Sequence, residues 1–117
     1  MEERRLTRSN NPREAAKLYL ASLAERNSFS ALTLSDTKGA VVAHSCTHLN
    51  GDALATFASV AGPGIHSEDG LVKLVTQGLP IKVCDLDIEG APYLLAVVGE
   101  QTDMPADTEV ALNRIFS

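Results

Sequence analysis

The chain has 117 residues, a formal net charge of −5 and an aromatic fraction of only 4%. Nucleic-acid binding needs a basic surface to displace counterions, and often aromatics to stack bases, so nucleic acid is excluded as an expected partner. Hydrophobic residues make up 44% of the chain, enough for one domain to bury a core without staples.

Residues 1–10 carry no apolar periodicity and read as a flexible tail, with 11–117 as the domain. Arg4, Arg5 and Arg8 sit beside Glu2 and Glu3, a solvated mixture. The polar start has no apolar stretch of the signal-peptide kind. The longest apolar run, residues 93–98, is far too short to cross a bilayer. Cytoplasm is the expected location. A helix then begins. Asn11 can cap it, Pro12 suits the first helical position, and Glu14 completes a capping box. Ala16, Tyr19, Leu20 and Leu23 recur on one face, and Asn27 is a candidate left-handed stop.

Residues 29–36 and 40–46 read as two strands joined by the turn Asp36-Thr37-Lys38-Gly39. Asn50 or Asp52 can cap a second helix, which Gly62-Pro63-Gly64 ends. Residues 71–76 admit a strand or a helical turn; their β-branched residues and the Gln77-Gly78 link favour a strand. Residues 79–88 and 92–98 form the clearest hairpin, turning at Glu89-Gly90-Ala91. Asp107 or Thr108 can cap a last helix, with Val110, Ala111 and Ile115 near one another. The expected fold is α/β (α+β), in the order α-β-β-α-β-β-β-α. Short links require antiparallel neighbours, so a single sheet of about five strands with helices on its faces is the economical packing.

The candidate chemistry is thin. His44, Cys46 and His48 alternate, and alternate residues of a strand share a face. Zinc wants a fourth ligand or water, and no recognisable zinc spacing supplies one; no metal or cofactor is expected. Asp85 and Asp87 share a strand face near Lys82, the pattern of a solvated polar face more than of an acid–base pair. Cys84 lies between Val83 and Asp85, a setting that does not favour thiolate. The glycines do not lead into Lys-Ser/Thr as a phosphate loop would. The expectation is a protein that is not an enzyme.

The second helix is the most informative segment. Residues 53–61 contain no charge. Leu54, Phe57, Val60 and Ala61 gather on one side of a helical wheel; Ala55, Ala58, Ser59 and Gly62 gather on the other. A helix on a sheet should show one charged, solvated face, so the small neutral face points to a partner helix.

The order of elements, the phrase Ala31-Leu32-Thr33-Leu34-Ser35-Asp36-Thr37-Lys38-Gly39-Ala40-Val41-Val42-Ala43, and the closing hairpin over 81–98 with Glu89-Gly90 at its turn resemble the Roadblock, or dynein-light-chain-like, family. The resemblance runs from Asn11 to Phe116. The chain departs from it at Gly62-Pro63-Gly64, which shortens the second helix. The resemblance implies a cytoplasmic homodimer that scaffolds or regulates a small Ras-like GTPase or its pathway. It places the dimer contact on the second helix and neighbouring strand edge, hence at Ala55, Ala58, Ser59, Gly62, Leu71 and Lys73. A small-molecule sensor module of similar α/β shape, holding its ligand between sheet and helix, is the alternative.

Overall fold

The computed structural model describes residues 12–46, 49–66, 76, 78–100 and 102–116. In chain order these form α1 (Pro12–Asn27), β1 (Ala31–Asp36), β2 (Val41–Cys46), α2 (Gly51–Ala61), β3 (Gly64–His66), β4 (Ile81–Ile88), β5 (Ala91–Val98) and α3 (Thr108–Phe116). The five strands make one sheet in the order β2-β1-β5-β4-β3. Every neighbouring pair is antiparallel, so the expected α+β class with one antiparallel sheet is the fold observed.

The central strands write the two faces of the sheet. Successive side chains alternate across a strand. On β1, Leu32 and Leu34 enter one core with Leu95 and Val97 of β5, Ile88 of β4, Leu20 and Leu23 of α1, and Leu112 of α3. Ala31 enters the opposite core with Leu94, Ala96 and Val98 of β5, Ile81 and Val83 of β4, and Leu54, Phe57 and Ala58 of α2. The molecule is thus three-layered: α1 and α3 on one face, α2 on the other. Where β1 meets β2 the register slips between Leu34 and Ser35. That bulge lets the consecutive residues Val42 and Ala43 both pack against the first core.

Local chemistry sets the ends. Pro12 opens α1 as its fixed φ allows; the proposed Asn11 cap lies outside the described residues. The left-handed stop is Ser28 (φ 59°), one residue beyond the expected Asn27. Asn27 instead stays helical, and its side-chain amide donates to the Leu23 carbonyl at 2.9 Å. The Phe29 N–H then reaches the Ala24 carbonyl at 2.9 Å and the Phe29 ring is buried, the hydrogen bond and apolar contact of a Schellman stop. Asn50 caps α2, its Oδ1 accepting from the Ala53 N–H at 3.1 Å. In the first hairpin, Asp36 Oδ1 accepts from the N–H groups of Lys38 and Ala40, each at 2.9 Å. Those amides, Ala40 first, hold the Asp36 carboxyl below its ordinary value.

Two elements depart from expectation. The strand following α2 is Gly64–His66, which begins inside the Gly-Pro-Gly segment taken as a terminator. The strand expected over 71–76 lies outside the described residues except at Thr76, which is helical and buried, with its hydroxyl donating to the Leu79 carbonyl at 2.6 Å. In α3 the anchor is Leu112, fully buried, whereas Val110 is 58% exposed.

Candidate functional site

The proposed partner surface rests on α2, and the structure rotates that helix relative to the wheel drawn from sequence. Ala55 and Ala58 are both 0% exposed. They turn inward, and neither has surface left to offer a partner. Placing them at a dimer contact is corrected on that ground. The physical reason is complementary smallness. On the α2 side of the sheet β1 presents Ala31, Thr33 and Ser35, all buried, and short side chains on helix and sheet allow close approach.

The chain's own first hairpin covers part of the remaining small face. A Cβ on Gly39 would lie 3.2 Å from Ser59 Oγ and 3.5 Å from Thr56 Cα, and Gly39 has φ +92°. The positive φ is what favours glycine there, and a Cβ would in addition press on the Ser59 hydroxyl where the turn approaches α2. Ser59 is half-buried, and its hydroxyl is spent on the Thr56 carbonyl at 2.8 Å. Gly62 caps the helix, its N–H donating to the Ala58 carbonyl at 3.0 Å. Leu71 and Lys73 lie outside the described residues.

What α2 does present is Val60, 78% exposed, and not, as the wheel suggested, buried beside Leu54 and Phe57. Five residues later Ile65 of β3 is 67% exposed. β3 ends the sheet and, among the described residues, pairs only with β4. Two large exposed aliphatics therefore flank Gly62-Pro63-Gly64 in the chain: Val60 on the α2 side of the sheet and Ile65, in register with Lys82 and Val97, on the α1/α3 side. Edge strands in soluble proteins usually carry charge or Pro to discourage pairing; the middle residue of this one is Ile65.

The other candidate groups are dispersed. His44 is exposed on β2 and its ring packs on the start of α2, where a Cβ on Gly51 would lie 3.1 Å from His44 Cγ. His48 and the side chain of Cys46 lie outside the described residues. Among the described residues no group of three or more His, Cys, Asp or Glu side chains could hold a metal ion. Asp85 and Asp87 are exposed on β4; Asp87 Oδ1 accepts the Gly90 N–H at 3.0 Å and closes the turn. Cys84 is free and half-buried. Burial pushes its thiol up, with Lys82 opposing and Asp85 reinforcing, so it is a poor thiolate nucleophile at neutral pH. No helix among the described residues is long and apolar enough to cross a membrane.

No family model, curated protein or solved structure matches this chain.

Proposed function

We propose that this protein is a non-enzymatic, Roadblock-like homodimeric scaffold that regulates a small Ras-like GTPase or its pathway in the cytoplasm. The observation that carries the reading is the pair of large exposed aliphatics by the sheet edge, Val60 at the end of α2 and Ile65 on the terminal strand, one on each face of the sheet. A surface of that kind suits a second copy meeting it about a two-fold axis, the commonest arrangement of soluble oligomers. The order of helices and strands and the two hairpin phrases support the family resemblance and, by analogy of fold, the class of partner.

A scaffold of this type needs contact area and no chemistry of its own. It acts by favouring one arrangement of the partner's switch loops, and it can do so only to the extent that it binds the two nucleotide states unequally. The test is a binding titration of the purified chain against small GTPases of the same genome, each loaded with GDP or with a non-hydrolysable GTP analogue. At least one should bind with affinities differing about tenfold between states, roughly 1.4 kcal/mol. The chain alone should neither bind nor hydrolyse GTP. Failure to bind any GTPase, together with a monomeric chain that co-purifies with a metabolite, would replace this reading with the sensor module.

A further inference from the structure

β4 is longer than the strand beside it. β3 pairs with residues 81–83 alone, and among the described residues no strand lies along the outer edge of β4 from 84 to 88. The hairpin turn Glu89-Gly90 closes on the Ile88–Ala91 pair. In such a hairpin the closing residues bond to each other, so the Ile88 amide faces β5 while those of Asp87 and Glu89 face outward. Outward amides on a strand edge are a template for another strand.

Side chains of α3 occupy that edge. Glu109 Oε2 accepts from the Asp87 N–H at 2.7 Å. Asn113 Oδ1 accepts from the Glu89 N–H at 2.8 Å. Asn113 Nδ2 donates to the Asp87 carbonyl at 2.8 Å and to the Glu109 carbonyl at 2.9 Å. Read along β4, the helix offers an acceptor, a donor and an acceptor, the run a neighbouring strand would offer. Glu109 and Asn113 stand four apart, so one face of the helix carries both. Leu112, fully buried between them in sequence, anchors the helix to the core.

We propose that α3 is an edge guard: Glu109 and Asn113 stand in for a sixth strand and close β4 to pairing with a second copy of the chain. Charge supplies a second barrier. Two open β4 edges aligned antiparallel about Leu86 would set Asp85 of each copy opposite Asp87 of the other. Both aspartates are exposed, and like charges directly opposite each other destabilise a strand pair. The two barriers act on the same association, so removing either one alone leaves the other standing.

The test compares the full-length wild type with Glu109→Ala/Asn113→Ala, with Asp85→Asn/Asp87→Asn, and with the four substitutions combined. Asn at 87 keeps the side-chain oxygen that closes the turn. Native-state amide exchange in the Glu109→Ala/Asn113→Ala protein should quicken about tenfold or more at Asp87 and Glu89, while the amides of α3 stay protected. By sedimentation, only the combined protein should associate beyond the wild-type state. A charge control, Glu25→Gln/Asp52→Asn in the Glu109→Ala/Asn113→Ala background, should keep the wild-type size. Unchanged exchange at Asp87 and Glu89, exchange quickened throughout α3, or a combined protein of wild-type size would overturn the proposal. Association of the charge control would overturn it too, since loss of net charge alone would then suffice.

Discussion

The two faces of the sheet are built by different rules. The α1/α3 face is large against large: Leu20, Leu23 and Leu112 of the helices meet Leu32, Leu34, Leu95 and Val97 of the strands. The α2 face mixes scales. Phe57 and Leu54 pack with Ile81, Val83, Leu94 and Val98, while β1 presents Thr33 and Ser35 and the helix answers with Ala55 and Ala58. A small-residue helix face, read alone, looks like a surface kept free for a partner. Here it is the surface that lets the helix sit low on a sheet of short side chains. Smallness reports close approach, and it does not say to what.

The comparison breaks first at Ala58. Ala58→Glu places a carboxylate in a fully buried position with no partner, at a cost of about 4 kcal/mol or more. Circular dichroism and urea titration should find a protein largely unfolded or greatly destabilised. A folded Ala58→Glu protein of wild-type stability would mean that α2 does not sit as described.

On the opposite face, Leu112→Ala should cost about 2–5 kcal/mol, since the lost side chain leaves a cavity where α3 meets the sheet. Urea denaturation measures it. A loss below about 1 kcal/mol would show α3 to be held mainly by its contacts to the β4 edge, and the large-against-large rule would fail there.

Ser35 sharpens the contrast from the other side. Its hydroxyl is buried with no hydrogen-bond partner among the described residues. An unsatisfied buried polar group costs about 1–3 kcal/mol, so Ser35→Ala should be neutral or stabilising by about 1 kcal/mol, raising the melting temperature by a few degrees. A clear destabilisation would show that the hydroxyl has an essential contact under α2.

The smallest effect belongs to the Asp36 turn. The Asp36 carboxyl is held below its ordinary value by the Ala40 and Lys38 amides. A depressed carboxyl contributes stability that is fully present above its unfolded value and is lost as pH falls through the folded one. Wild type and Asp36→Ala should therefore differ slightly in stability at neutral pH and converge in acid. Parallel pH curves would contradict that source of stabilisation.

Much of this fold was legible in the chain. The helix start at Pro12, the cap at Asn50, the two hairpins and the single antiparallel sheet follow from local chemistry and from the shortness of the links. Three features were not legible. The strand β3 has three residues, too few for alternation to register, and it starts within a glycine-proline segment that reads as a stop. The rotation of α2 was hidden because residues 53–61 carry no charge on either side, so the wheel had no solvated face to orient it. Sequence spacing alone therefore puts Val60 on the inward side and Ala58 on the outward one. The hydrogen bonds of Glu109 and Asn113 to β4 join residues 22 to 26 positions apart, beyond any periodicity. The only sequence trace of that contact is a polar pair spaced four apart on a short helix.

The proposed dimer is tested most directly by sedimentation equilibrium on the wild type and on Val60→Glu, at concentrations spanning the micromolar range. Val60 is 78% exposed in the single chain, so the substitution should leave the fold and its melting behaviour intact while placing an unpaired charge in the contact. The expected result is a dimeric wild type and a folded, monomeric Val60→Glu. A wild type that stays monomeric throughout, or a Val60→Glu that dimerises as well as the wild type, would contradict the end of α2 at Val60 as part of the place where two copies meet.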